Sequence, residues 1–189
     1  MKDMEYLFTL DYRLPARDCD PWQVAERLGA AGCTDALLGC GVSGRLALEF
    51  RRKASNAQQA LFSALGEIRQ ALPGAQLVEA GPDFVGLDEI AGIAGLSRQD
   101  MHRLMLNHDD SFPLAIHQGQ PWCWHLAQVL DWLDGHGGRW RGHPVTEVAR
   151  VAQQVNLARQ MRCIGPLNAE LLALLVDRSP AQRRAISEK

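Results

Sequence analysis

The sequence predicts an α+β fold in three parts, and three observations carry that expectation. The first eighty residues alternate period-two stretches with helical ones, in the order strand, helix, strand, strand, helix, strand. The middle of the chain sets two short helical stretches around a glycine, followed by a turn-rich stretch and another helix. From Pro144 onward only helical periodicity is visible. The 189 residues suffice for one large domain or a few small ones. Apolar residues make up 47% of them, enough to bury a core. The expected segments are 1–82, 83–136 and 144–189.

In the first segment, residues 6–14 alternate, with Phe8, Leu10 and Tyr12 on one face and Leu7 and Thr9 on the other. Asp20-Pro21 reads as a helix N-cap followed by proline at the first helical position. Trp22, Val24, Ala25, Leu28 and Ala31 form the stripe of that helix, and Gly32 stops it. Residues 35–39 are a short apolar strand. Residues 45–51 alternate again, with Leu46, Leu48 and Phe50 in phase. Ser55 is expected to open a helix carrying Ala57, Leu61, Ala64, Leu65 and Ile68, which Pro73-Gly74 ends. Residues 76–80 make the last strand. With both helices on one face of an antiparallel sheet, this order is the ferredoxin-like arrangement.

In the third segment, Val145, Val148, Val151, Ala152, Val155 and Ala158 form a helical stripe too apolar for a free helix, so it packs on the body or on a second copy. Gly165-Pro166 breaks that helix. Ala169, Leu171, Leu172 and Leu175 continue in a second one, and Ser179-Pro180 is a candidate start for a third. Gly135-His136-Gly137-Gly138 reads as a linker.

The stretch 87–106, LDEIAGIAGLSRQDMHRLML, carries the functional information. Ala91 is small where two helices would touch. Gly95, four positions on, can take positive φ in the turn. Ser97 is a good N-cap for the second helix. Ile90, Ala94, Leu96, Met101 and Leu104 fall where they would hold the pair together. These residues resemble a DNA-binding helix-turn-helix. Phe112-Pro113, a short hairpin through 114–124 and a helix with Leu126, Val129, Leu130, Trp132 and Leu133 follow. Residues 83–136 thereby resemble the winged helix of the MerR/excisionase group.

That resemblance implies a recognition helix in the major groove, with Ser97, Arg98, Gln99, His102 and Arg103 toward the DNA. Arginine can bond guanine twice, and glutamine adenine twice. His117, Gln118 and Gln120 would lie near the wing tip, and Arg139 and Arg141 just beyond the module. Double-stranded DNA is the expected partner, and two-fold symmetry favours a homodimer on paired half-sites. The reading is a bacterial- or phage-type transcriptional regulator and not an enzyme. An adaptor using an acidic helix-turn-helix to hold protein, or a small-molecule sensor built on the first segment, are the alternatives.

Charge sets a demand on this reading. The whole chain carries −2, which excludes binding by bulk charge. Residues 83–136 hold only Arg98 and Arg103 against eight carboxylates, although phosphate neutralisation supplies most DNA affinity. Between Gly137 and Gly165, Arg139, Arg141, Arg150, Arg159 and Arg162 face only Glu147. Help from that stretch or from a second copy is therefore required.

Other signals are discounted. Residues 39–44 spell G-x-G-x-x-G, but an alternating strand follows where a dinucleotide site needs a helix. His102, His108, His117, His125, His136 and Cys123 cluster in sequence without standard zinc spacing, so no metal or cofactor is expected. Trp122, Trp124 and Trp132 are read as core, and Arg51-Arg52-Lys53 as a solvated edge. The five cysteines contain no C-x-x-C pair, and no long apolar run is present, which fits a soluble cytoplasmic protein.

Overall fold

A computed structural model describes residues 3–15, 20–39 and 44–175. The fold is mixed α+β. Its main sheet contains β1 (Met4–Arg13), β2 (Ala36–Gly39), β3 (Arg45–Ala54) and β4 (Gln76–Gly81), in the order β2-β3-β1-β4. Every pairing is antiparallel, with Phe8 opposite Phe50 and Leu10 opposite Leu48. α1 (Pro21–Ala30) follows β1, and α2 (Ala57–Ala71) follows β3. The strand alternation works as the sequence suggests. Tyr6, Phe8, Leu10 and Tyr12 join Leu46, Leu48 and Phe50 in one core with Val24 and Leu28 of α1 and Leu61, Ala64 and Ile68 of α2. Phe8 and Phe50 stack with centroids 4.9 Å apart.

Three local expectations change. Trp22 does not join the α1 stripe: it lies at the first turn and is exposed, while Val24 and Leu28 hold the helix down. α2 is capped by Asn56, whose Oδ1 accepts from the Gln59 amide at 2.8 Å, and Ser55 instead bonds the Gln59 side chain. Arg52 is no solvated edge. It stands in phase with Leu46, Leu48 and Phe50, so alternation turns it inward. There its guanidinium grips Asp35 through two bonds of 2.7 and 2.8 Å and Glu67 through two of 3.0 and 2.6 Å. Ser63 takes a further bond at 2.8 Å. The buried arginine is thus paired on every side, as a buried charge requires. The arginine's bonds hold Asp35 below the usual carboxylate range.

The second part begins with β5 (Phe84–Val85), which pairs with β6 (Trp124–His125). Between them lie α3 (Leu87–Ala94) and α4 (Arg98–Asn107), and α5 (Leu126–Gly135) follows. Ile90, Ala91, Met101, Phe112, Trp124, Leu126, Val129 and Leu130 make a second core.

α6 (Pro144–Ile164) serves both cores. Its Val148 and Ala152 are buried in the first and its Ala149 in the second. Of the two outcomes open to the stripe beginning at Val145, packing on the body is the one observed. Residues through Asn156 form one compact unit, and those from Leu157 form another. In the latter, Gly165 at φ 73° closes α6 and Asn168 caps α7 (Ala169–Leu175), accepting from the Glu170 amide at 2.8 Å. The third helix expected from Ser179-Pro180 and the centre of the glycine-rich stretch, 40–43, lie outside the described residues. No helix among the described residues is long and apolar enough to cross a membrane.

Candidate nucleic-acid interface

The α3–α4 pair is built from its turn outward. Gly95 takes φ 68° and ψ 26°, the left-handed region, and ends α3. The Leu96 amide then reaches back to the Ala91 carbonyl at 2.9 Å. Ser97 starts the next helix: its Oγ accepts from the Asp100 amide at 3.1 Å and donates to the Asp100 carboxylate at 2.7 Å. Its hydroxyl is therefore used in capping. Met101 is fully buried against α3, and Leu104 is half-buried beside it. Arg98, Gln99, His102 and Arg103 all face solvent. One helix thus divides its faces between holding and presenting.

Both arginines of this face are ion-paired. Arg98 Nε lies 2.9 Å from Asp88 of α3, and Arg103 reaches Asp100 at 3.5 Å. These pairs are exposed, so each is worth about 0–1 kcal/mol and yields easily to a phosphate. The remaining carboxylates of residues 83–136 sort by position. Asp83 is buried, and Glu89 accepts from the Gly86 amide to cap α3. Asp131 pairs with Arg150, and Asp134 with Arg141. Asp109 and Asp110 are exposed after α4. The acidity counted in the sequence is therefore partly spent away from the presenting face, but Asp88 and Asp100 remain on it.

The wing segment is short. Ile116 N–H donates to the Cys123 carbonyl at 2.8 Å, and Cys123 N–H donates to the His117 carbonyl at 3.1 Å. His117 is exposed and its ring folds over Gly119. Gln118 and Gln120 stand exposed at the tip. Trp124 anchors the base of this short hairpin, donating from Nε1 to the Pro113 carbonyl at 3.1 Å, with Phe112 edge-on to it. Trp122 departs from the core reading: it is 45% exposed, and Leu114 and Ile116 of the same segment are 82% and 47% exposed.

The loop after α5 curls back on Asp134. The amides of Arg141 and Trp140 donate to its Oδ1 at 2.9 and 3.0 Å and hold its carboxyl below the usual range. Arg141 and Arg139 both project to solvent from this loop.

Besides the Arg52 cluster, sequence reasoning missed a second buried polar network. His125 Nδ1 lies 2.7 Å from Asp83, whose other carboxylate oxygen accepts from Asn156 Nδ2 at 2.7 Å. Asn156 also donates to the Ala80 carbonyl and accepts from the Ala80 amide, both at 2.8 Å. The signal available in the sequence was a lone Asn on the apolar stripe of α6. The histidines do not gather: His108 and His136 pack around Trp132, His125 is buried with Asp83, and His102 and His117 are exposed. Among the described residues no three His, Cys, Asp or Glu side chains converge to hold a metal ion.

No protein-family model, curated protein or solved structure matches this chain.

Proposed function

We propose that this protein is a sequence-specific double-stranded-DNA-binding protein, a cytoplasmic transcriptional regulator acting as a homodimer. One observation carries the reading. α4 buries Met101 against α3 and turns Arg98, Gln99, His102 and Arg103 together toward solvent, beyond a left-handed glycine turn. A helix so held can enter the major groove by its first turns. The hairpin from Ile116 to Cys123 supports a wing, and the strand order β2-β3-β1-β4 supports a ferredoxin-like first segment. Arg139 and Arg141 stand ready for phosphates.

Selection from a random duplex pool at two salt concentrations tests this. A preferred sequence is expected, with affinity falling steeply as salt rises. Arg98→Ala should relax preference at one base position by about 1–3 kcal/mol. Arg141→Ala should weaken all sequences alike. Wild-type affinity in both variants, or no enriched sequence, sinks the proposal.

A second reading has its own support. Leu106 of α4 and Leu114, Ile116 and Trp122 of the segment after it are exposed apolar side chains, and Asp88, Asp100 and Asp109 of this part of the chain are exposed carboxylates. Such a surface suits a protein partner carrying basic residues. It predicts no enriched DNA, and a complex lost on Trp122→Ala with Leu114→Ser.

A further inference from the structure

We propose that the unit from Leu157 to Leu175 is a homodimerisation element, in which the end of α6 and α7 of one copy lie against the same elements of a second. The proposal deepens the regulator reading, on which it rests for its expected effect on DNA but not for the association itself.

The stripe that first suggested a dimer is not free. From Val148 to Val155 it is packed into the two cores of its own chain, and Asn156 is tied to Ala80 and Asp83. One residue later the pattern reverses. Leu157, Met161 and Ile164, at i, i+4 and i+7, are all exposed. In α7 no residue is buried, and Leu171, Leu174 and Leu175 are 50%, 83% and 71% exposed. Large apolar side chains left open this densely on one short stretch mark a contact face. Something must cover it.

Three observations point to a second copy. Every large apolar side chain from Leu157 to Leu175 is at least 42% exposed, a continuous supply of apolar surface such as a contact between copies buries. The following residues, 176–189, hold only Val176 and Ile186 as large apolar side chains and are otherwise small, polar or charged, so that tail is a poor cover. The charges are self-complementary: α6 brings Arg159 and Arg162 and α7 brings Glu170, so a two-fold axis lets each copy's cations face the other's anion. The DNA reading needs the same arrangement, because one α4 offers only two arginines and both are paired with carboxylates.

The test is sedimentation of the full chain over a wide concentration range, with Ile164→Glu/Leu174→Glu as the variant and Leu37→Glu as control. Leu37 is 71% exposed on the open face of the sheet and offers a rival apolar surface. Wild type and Leu37→Glu are expected to be dimers, and the double variant a monomer with association weakened more than tenfold and circular dichroism otherwise unchanged. A thermal midpoint for residues through Asn156 equal to wild type shows that the variant has not simply unfolded. A wild-type monomer at every concentration overturns the proposal. So does a dimer broken by Leu37→Glu but not by the double variant. A monomer that dimerises only when residues 176–189 are removed makes the tail the occupant and also overturns it. DNA separates the two claims. Dimers that select no sequence sink the regulator reading alone, whereas monomers that select one sink only the dimer.

Discussion

Arg52 shows how much one side chain can decide. Its guanidinium has Asp35 and Glu67 as counter-charges and is itself nearly closed to solvent. Removing one member of such a cluster leaves the others uncompensated. We expect Arg52→Ala to cost about 2–4 kcal/mol, below the full range for buried pairs because both carboxylates keep some water. Urea unfolding at pH 7 measures this. The pH dependence follows from Asp35. Its folded pKa is lowered, so its stabilisation is present above the unfolded carboxylate range and is lost as pH falls through the folded value. The wild type should therefore lose stability on acidification below about pH 4, and Asp35→Asn should lose less over that interval while being weaker at pH 7. An equal acid slope in both removes Asp35 from the account. Cys33, beside this cluster, is pushed up to about 12 by burial and then by the Glu67 hydrogen bond, so it stays a neutral thiol.

The elements were legible to different degrees. β1, β3, α2 and the α3–turn–α4 unit announce themselves because their periodicity and caps agree. Asp20 caps α1, and Gly95 and Ser97 stand at the turn and cap that the sequence assigns them. What pattern could not say was which polar residue on an apolar face finds partners. Arg52 and Asn156 look misplaced until residues 17 and 76 positions away arrive. The pairing of Arg98 with Asp88 was equally hidden, because it spans two helices whose relative rotation depends on Gly95. The fate of Trp122 was hidden too: period two puts it on the same face as Trp124, but the strand is only Trp124–His125, and the burial of Trp124 does not extend to Trp122. At Gly95 a prediction follows. A Cβ there meets nothing within 4 Å, so the cost of substitution is backbone conformation alone. Gly95→Ala should destabilise by about 1–2 kcal/mol and Gly95→Asn by less. Both should loosen the α3–α4 pair, as read by hydrogen exchange of α4 amides, and on the DNA-binding proposal should lower affinity in step. An alanine variant as stable as glycine contradicts the left-handed turn.

At the scale of the molecule, α6 joins what the sequence lays out separately. Asn156→Ala removes partners from the Ala80 amide, the Ala80 carbonyl and an Asp83 oxygen, each of which costs about 1–3 kcal/mol when buried and unpaired. Allowing for water entering the cavity, a loss of about 2–4 kcal/mol is expected in thermal or urea unfolding. Because Val148 and Ala152 sit in one core and Ala149 in the other, far-UV circular dichroism and the fluorescence of buried Trp124 should report one coincident transition in the wild type. Two resolved transitions would show the cores to be independent.

The position of α6 also bears on the portability of the 83–136 unit. A unit that ended with α5 could be exchanged between proteins like a cartridge. Here Asp83 at its entrance is satisfied by Asn156, on a helix that returns from beyond α5 to the Ala80 edge of the sheet. A graft of residues 83–136 would carry a buried carboxylate without one of its donors, and a fragment 1–82 would open its core where Val148 and Ala152 belong. The smallest piece that can be moved intact therefore runs through Asn156.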